Sequence, residues 1–223
     1  MNSFLLHGDN QVASRKKLVS LTNEGKKAGY ELVHLDNPGK KELLDAASAQ
    51  GLFGNETVVI VENFISANKD AAGILSEIPK DVAILVWEKK LLSPSAVKKL
   101  SSRFAVLEFK LPTVLFALLD NIYPKNTRKL LELLNNAKQR LEAEFLIIMI
   151  SQRVRQLLWA RLDPATMTLP LWQKGKLIAQ TGRYSEECLK NLNTRLLALD
   201  RESKSSVLPV DLFSSLELLL TSI

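Results

Sequence analysis

The feature that most narrows what this chain can fold into is a change of period at Pro112. Before it, short apolar runs rich in Val, Ile and Leu recur between polar, helix-compatible stretches. After it no run resembles a strand, and Leu falls at three- and four-residue spacings, as in Leu130-Leu133-Leu134 and Leu192-Leu196-Leu199. The first texture is that of βαβ units around a parallel sheet, and the second is that of a helical bundle. Two domains are therefore expected: an α/β domain over residues 1–110 and an all-α domain over residues 111–223. The length of 223 residues accommodates two small domains.

Strands are expected at Phe4–Gly8, Tyr30–Asp36, Thr57–Glu62, Val82–Trp87 and Ala105–Phe109. The uniform apolarity of Val58-Val59-Ile60-Val61 and Val82-Ala83-Ile84-Leu85-Val86 predicts strands buried on both faces, hence central in the sheet. Between the strands, helices are expected over Gln11–Lys27, Lys40–Gln50, Lys69–Ser76 and Ser93–Ser102. The last is entered through Ser93-Pro94, a cap residue followed by proline at the first helical position. Crossovers between parallel strands are right-handed. In the second half, breaks fall at Tyr123-Pro124, from Asp163-Pro164 to Leu169-Pro170, near Thr181-Gly182 and from Ser203 to Pro209. They divide it into roughly six helices. The final one, Val210–Ser222, carries more apolar surface than a single buried stripe needs.

Composition excludes several classes. With 46% hydrophobic and 24% charged residues the chain has the ordinary globular mix and lacks the signature of disorder. The net charge of +6 suits a polyanion but is spread thinly. Cys188 is the single cysteine, so no intramolecular disulfide can form, and with only His7 and His34 beside it there is no ligand set for a structural zinc. The opening Met1-Asn2-Ser3-Phe4 lacks the parts of a signal peptide. The longest apolar run, Phe145 to Ile150, is far short of the ~20 residues that span a bilayer. A cytoplasmic protein with no membrane segment, no metal and no cofactor is expected.

Gly8 ends the first strand and leads into a helix, where a P-loop would lie. Counting that motif's spacing from Gly8 puts Ala13, Ser14 and Arg15 where a second glycine, the phosphate-binding lysine and the magnesium-binding hydroxyl should be. Ala13 brings a methyl group into a backbone that needs none, and Ser14 supplies no cation. The P-loop is thus read as degenerate and non-functional. Glu62 occupies the region of a Walker-B acid, and its plain reading is a solvated strand end. His7 and His34, at or next to neighbouring strand ends, have no accompanying nucleophile-and-acid pattern. No catalytic residue emerges.

A different feature is Gln50-Gly51-Leu52-Phe53-Gly54, two large apolar residues between glycines just before a buried strand. They either cap the local core or form an exposed anchor; each side chain contributes roughly 1.5–3 kcal/mol when fully buried in a partner's pocket. The basic clusters Arg15-Lys16-Lys17, Lys26-Lys27, Lys40-Lys41, Lys89-Lys90 and Lys98-Lys99 read mainly as solvated helix faces, with phosphate contact as the other option. The helix Leu171–Gln180 lacks the dense recognition face of a helix-turn-helix.

The order of these parts resembles the δ subunit family of the bacterial DNA polymerase III clamp loader. The resemblance covers the whole chain. Phe4-Leu5-Leu6-His7-Gly8-Asp9-Asn10, the degenerate P-loop, Gly51-Leu52-Phe53-Gly54 before Thr57-Val58-Val59-Ile60-Val61-Glu62, and Glu108-Phe109-Lys110 look like that family's AAA+-like domain. Val114 to Leu134, Ile150 to Leu158 and Leu196 to Lys204, with the Leu-rich final helix, are similar to its helical collar domain. One departure is large: the family's small helical lid domain has no counterpart, and Lys110-Leu111-Pro112 joins the two blocks directly. The resemblance implies a non-catalytic subunit of a DNA polymerase holoenzyme that binds the sliding clamp and promotes its opening during replication. Leu52 and Phe53 would be the wedge, and Gly51 and Gly54 would permit its presentation. Other clamp-loader subunits, the ATPases among them, would dock on the helical domain, and the assembled complex would meet primer-template DNA. The competing readings are a nucleotide-dependent P-loop-like enzyme and a basic nucleic-acid-binding regulator.

Overall fold

A computed structural model describes residues 1–48, 56–205 and 207–223. The chain divides into two compact units, Met1–Leu111 and Pro112–Ile223.

The first unit alternates strand and helix: β1 (Phe4–Gly8), α1 (Gln11–Lys27), β2 (Glu31–Asp36), α2 (Lys40–Ser48), β3 (Thr57–Glu62), α3 (Phe64–Ala67), α4 (Ala71–Glu77), β4 (Ala83–Trp87), α5 (Pro94–Leu100) and β5 (Ala105–Phe109). The strands form one parallel sheet in the order β2-β3-β4-β1-β5. Side-chain alternation sorts its apolar residues onto two faces. Leu5, Val59, Val61, Ile84 and Val86 pack with Leu43 of α2, Phe64 of α3, Leu75 of α4 and Leu100 of α5. Leu6, Val58, Ile60, Leu85 and Trp87 pack with Leu18 and Leu21 of α1. The reason for this uneven cover is topological. The β1-to-β2 connection runs across the sheet in the direction opposite to the other three, and same-handed crossovers then place its helix on the opposite face. Connections diverge at the carboxyl ends of β1 and β4, the kind of switch point where open α/β sheets place their ligands.

Several elements differ from expectation. β4 is the middle strand, with β3 and β1 beside it, so β1 is as interior as the two runs that announced themselves in the sequence. Its length of five residues, ending in His7-Gly8, hides that burial. Tyr30 lies outside β2; its N–H closes the preceding helix on Gly25 O, and its hydroxyl accepts from the chain's terminal ammonium at 2.8 Å. α4 starts at Ala71, and the single turn α3, too short to show periodicity, precedes it. α2 is described as far as Ser48, so the expected end of that helix at Gln50 lies outside the described residues.

The second unit holds six α-helices among the described residues: α6 (Thr113–Asn121), α7 (Thr127–Lys138), α8 (Ala143–Leu162), α9 (Leu171–Thr181), α10 (Glu186–Lys204) and α11 (Leu212–Thr221). α8 packs against α6, α9, α10 and α11, burying Leu146, Ile147, Ile150, Val154 and Leu157 along its length. α11 packs on α7, α8 and α10 and buries Leu216, Leu219 and Leu220. The apolar surplus expected there is thus largely internal; Leu218 is the large residue it leaves exposed. A polar junction ties α6, α8 and α9. Arg153 donates to Asp120 and Gln180, both at 2.9 Å, Lys176 reaches Asp120 at 2.6 Å, and Gln180 donates to Leu119 O. No helix among the described residues is long and apolar enough to cross a membrane.

Candidate functional site

The turn from β1 into α1 is built around close backbone approach. Gly8 has φ +138°, and a Cβ there would stand 2.0 Å from Phe109 O of β5. Glycine is required by that neighbour as well as by its own backbone angle. Asn10 N–H then donates to Phe109 O at 3.0 Å, and Asp9 Oδ1 accepts from Leu111 N–H at 2.8 Å.

The groups that would hold a phosphate are engaged within the protein. Asn10 caps α1: its Oδ1 accepts from Ala13 N–H at 3.1 Å, and its carbonyl accepts from Ser14 N–H at 3.0 Å. Ser14, at the position of the missing lysine, is fully buried; its Oγ donates to Gln11 O and accepts from the Trp87 indole N–H, each at 3.1 Å. Arg15, at the hydroxyl position, pairs with Glu62 at 2.5 Å and lies 4.4 Å from the centroid of the Trp87 ring. The sequence reading of Glu62 as a solvated strand end is therefore corrected. Its side chain is only 17% exposed and is bound to the guanidinium.

The histidines separate. His7 is buried on β1, and its Nδ1 accepts from Leu92 N–H at 3.3 Å, a bond that needs the neutral ring. Burial lowers its pKa, opposed by Glu108 and assisted by Lys110. His34 is exposed on β2, and two strands lie between β1 and β2, so the expected neighbouring strand ends are not neighbours. Sequence reasoning missed Glu88, a fully buried carboxylate that accepts from Ile65 N–H at 2.6 Å, Ser66 N–H at 3.2 Å and Ser66 Oγ at 2.5 Å. It satisfies the first turn of α3, and nothing local in the sequence marks it.

Beside the turn, an open cleft of about 770 Å³ runs between α1 and the carboxyl ends of β2, β3 and β4. Val12 and Val19 form its apolar slope, Arg15, Glu62 and Trp87 its floor, and Lys89 stands on its rim. Asp36, also in the wall, accepts from Asn63 Nδ2 at 3.0 Å. Among the described residues that line it there is no serine, threonine, cysteine or histidine. Among the described residues no group of three or more His, Cys, Asp or Glu is placed to hold a metal ion.

Gly51, Leu52, Phe53 and Gly54 lie outside the described residues. The basic clusters have local accounts: Lys26-Lys27 and Lys98-Lys99 sit in the last turns of α1 and α5, where cations complement the helix dipole, and Lys40 pairs with Glu77 at 2.7 Å. Lys89-Lys90 follows β4 in a connection rather than on a helix face.

No protein-family model matches the sequence, and no curated protein matches it. Among solved structures, the chain is similar to the Bacillus subtilis DNA clamp loader delta protein at 14% identity and a TM-score of 0.49, over 100% of this chain and 95% of that one. It is similar to a DNA polymerase III gamma subunit-related protein of Thermotoga maritima at 16% identity and a TM-score of 0.35, over 99% and 93% of the two chains. The Drosophila ORC bound to poly(dA/dT) DNA and Cdc6 matches at 12% identity and a TM-score of 0.32, over 100% of this chain and 66% of that one.

Proposed function

We propose that this chain is a non-catalytic, δ-like subunit of a replication clamp loader. In this reading the first unit is an AAA+-like domain that binds the sliding clamp, and the second is a collar through which ATPase subunits assemble around primer-template DNA in the cytoplasm. The observation that carries the reading is the occupied β1–α1 turn. In a doubly wound fold this turn is the natural phosphate site, yet here Asn10 caps α1, Ser14 is bonded to Trp87 and Arg15 is paired with Glu62. What is left to such a fold is recognition. The ordered sequence resemblance supplies the partner, and Leu52 and Phe53 supply the wedge. In this reading the chain is a short member without the lid domain, β5 and α6 being joined directly through residues 110–112.

The mechanism needs no chemistry in this chain. Two apolar side chains buried in a clamp pocket give roughly 3–6 kcal/mol from transfer alone, enough to dominate an interface. Docking that is tighter on the opened ring shifts the ring's equilibrium by that difference in affinity, while neighbours supply the nucleotide cycle. Mixing the chain with the sliding clamp of its own organism tests the reading. The wild-type chain binds, and Leu52→Ala with Phe53→Ala weakens binding by ~10² or more. Undiminished binding by the double variant would refute the wedge. Saturable ATP·Mg²⁺ binding with turnover by the isolated chain would refute the non-catalytic assignment.

A further inference from the structure

α1 carries two seams. The inner one, Ser14, Leu18, Leu21 and Gly25, is buried on the sheet. The outer one, Val12, Arg15, Lys16 and Val19, has the i, i+3, i+4, i+7 spacing of a helix face that meets a partner, yet it is turned to solvent, with Val12 41% and Val19 51% exposed. We propose that this outer seam and the adjoining cleft form a docking groove for an amphipathic helix with acidic flanks, contributed by another protein.

Three observations select that occupant. Val12 and Val19 are seven residues apart, two helical turns or about 10.5 Å, which matches an i, i+7 pair of apolar residues on a second helix laid along α1. The groove is open along its length, a shape that receives a segment of chain rather than enclosing a small molecule. Its lining is net positive, with Arg15, Lys16 and Lys89 against Asp36 and Glu62. Glu62 is paired with Arg15, Asp36 accepts from Asn63, and Lys89 is exposed at the mouth. An apolar stripe flanked by Glu or Asp complements that order of groups. The Arg15–Trp87 stack and the Trp87–Ser14 hydrogen bond hold the floor in place before any partner arrives, which limits the ordering cost of docking. The proposal does not depend on clamp binding.

The test uses the full chain, ¹⁵N-labelled, and follows the indole N–H signals of Trp87, Trp159 and Trp172. The probes are a capped amphipathic peptide of about 16 residues, with leucines two turns apart flanked by glutamates, and its counterpart with lysine for each glutamate. The glutamate peptide is expected to shift the Trp87 signal saturably while the other two stay fixed, and to bind at least roughly tenfold more tightly than the lysine peptide. Lys89→Glu should narrow or invert that preference, and Val19→Asp should weaken binding by roughly tenfold or more. Both are surface substitutions, and unchanged signals elsewhere in the spectrum report an intact fold. No saturable shift up to about 1 mM peptide, equal binding of the two peptides, or full binding by Val19→Asp would each overturn the proposal. So would a single-stranded DNA oligonucleotide that moves the Trp87 signal more strongly than the glutamate peptide, since it would assign the groove to nucleic acid.

Discussion

Gly8 and Ser14 show how single residues decide what the β1–α1 turn can be. Ala at position 8 would need φ +138° and would drive its methyl group into the β5 backbone, so Gly8→Ala is expected to cost about 3 kcal/mol or more in urea unfolding, with an unchanged slope. Ser14→Lys, which nominally restores the P-loop cation, is expected to do the opposite of restoring function. The new ammonium would enter a fully buried position and displace the only hydroxyl that accepts from Trp87 among the described hydrogen bonds. The variant should unfold at lower urea and still give no heat of ATP·Mg²⁺ binding in titration calorimetry. Missing motif residues were readable from spacing alone. What took their place was not, because Trp87 lies 73 positions from Ser14 and Glu62 lies 47 from Arg15. His7 adds a pH signature. Burial holds its folded pKa below the ordinary histidine value of about 6.5, so between those two values the unfolded chain binds more protons. Stability should be full above pH ~6.5 and fall as the pH drops through the folded pKa. His7→Asn, which keeps an acceptor for Leu92 N–H, should flatten the urea midpoint measured from pH ~7.5 to ~5.

At the scale of elements, legibility followed the strength of the period. β1, β3, β5 and α1 have the bounds read from the sequence; β1 ends in Gly8, α1 is entered through the Asn10 cap, and β3 is a run of four apolar residues between polar ones. α3 was invisible: four residues cannot express a 3.6-residue period, and its N–H groups are satisfied by Glu88, which follows the next strand. The interior place of β1 was equally hidden, since strand order is set by crossover direction and not by any one strand's composition. α1 is the element on which the most depends, being the single helix among the described residues in the apolar cluster on its face of the sheet. Its start relies on the Asn10 side chain, and Asn10→Ala is expected to lower global stability by about 1 kcal/mol, read as a shift in urea midpoint. The same change frees Ala13 N–H, so the variant also asks whether an unoccupied helix start is enough to admit phosphate; with Ser14 still bound under Trp87, it should not be.

Across the whole molecule, the two recognition features proposed for the first unit adjoin one strand, the apolar pair preceding β3 in sequence and the cleft lying at its carboxyl end. The segment that carries Leu52 and Phe53 enters β3 at Thr57, and Glu62, on the floor of the α1 cleft, is that strand's last residue. Six residues of strand set these ends roughly 17 Å apart. The apolar pair was conspicuous in the sequence because glycines bracket it. The cleft was not, since its walls come from α1 and three strands and its valines look like ordinary members of an amphipathic helix. Two separate docking surfaces that share no partner respond to substitution independently. Val19→Asp is therefore expected to leave clamp binding within experimental error of wild type, and Leu52→Ala with Phe53→Ala to leave the peptide-induced Trp87 shift unchanged. A triple variant should lose both activities, each by the amount seen alone. Measuring both readouts on all three variants separates two surfaces from one: a loss of clamp binding in Val19→Asp, at unchanged stability, would mean that the ring and the acidic helix compete for a single continuous face.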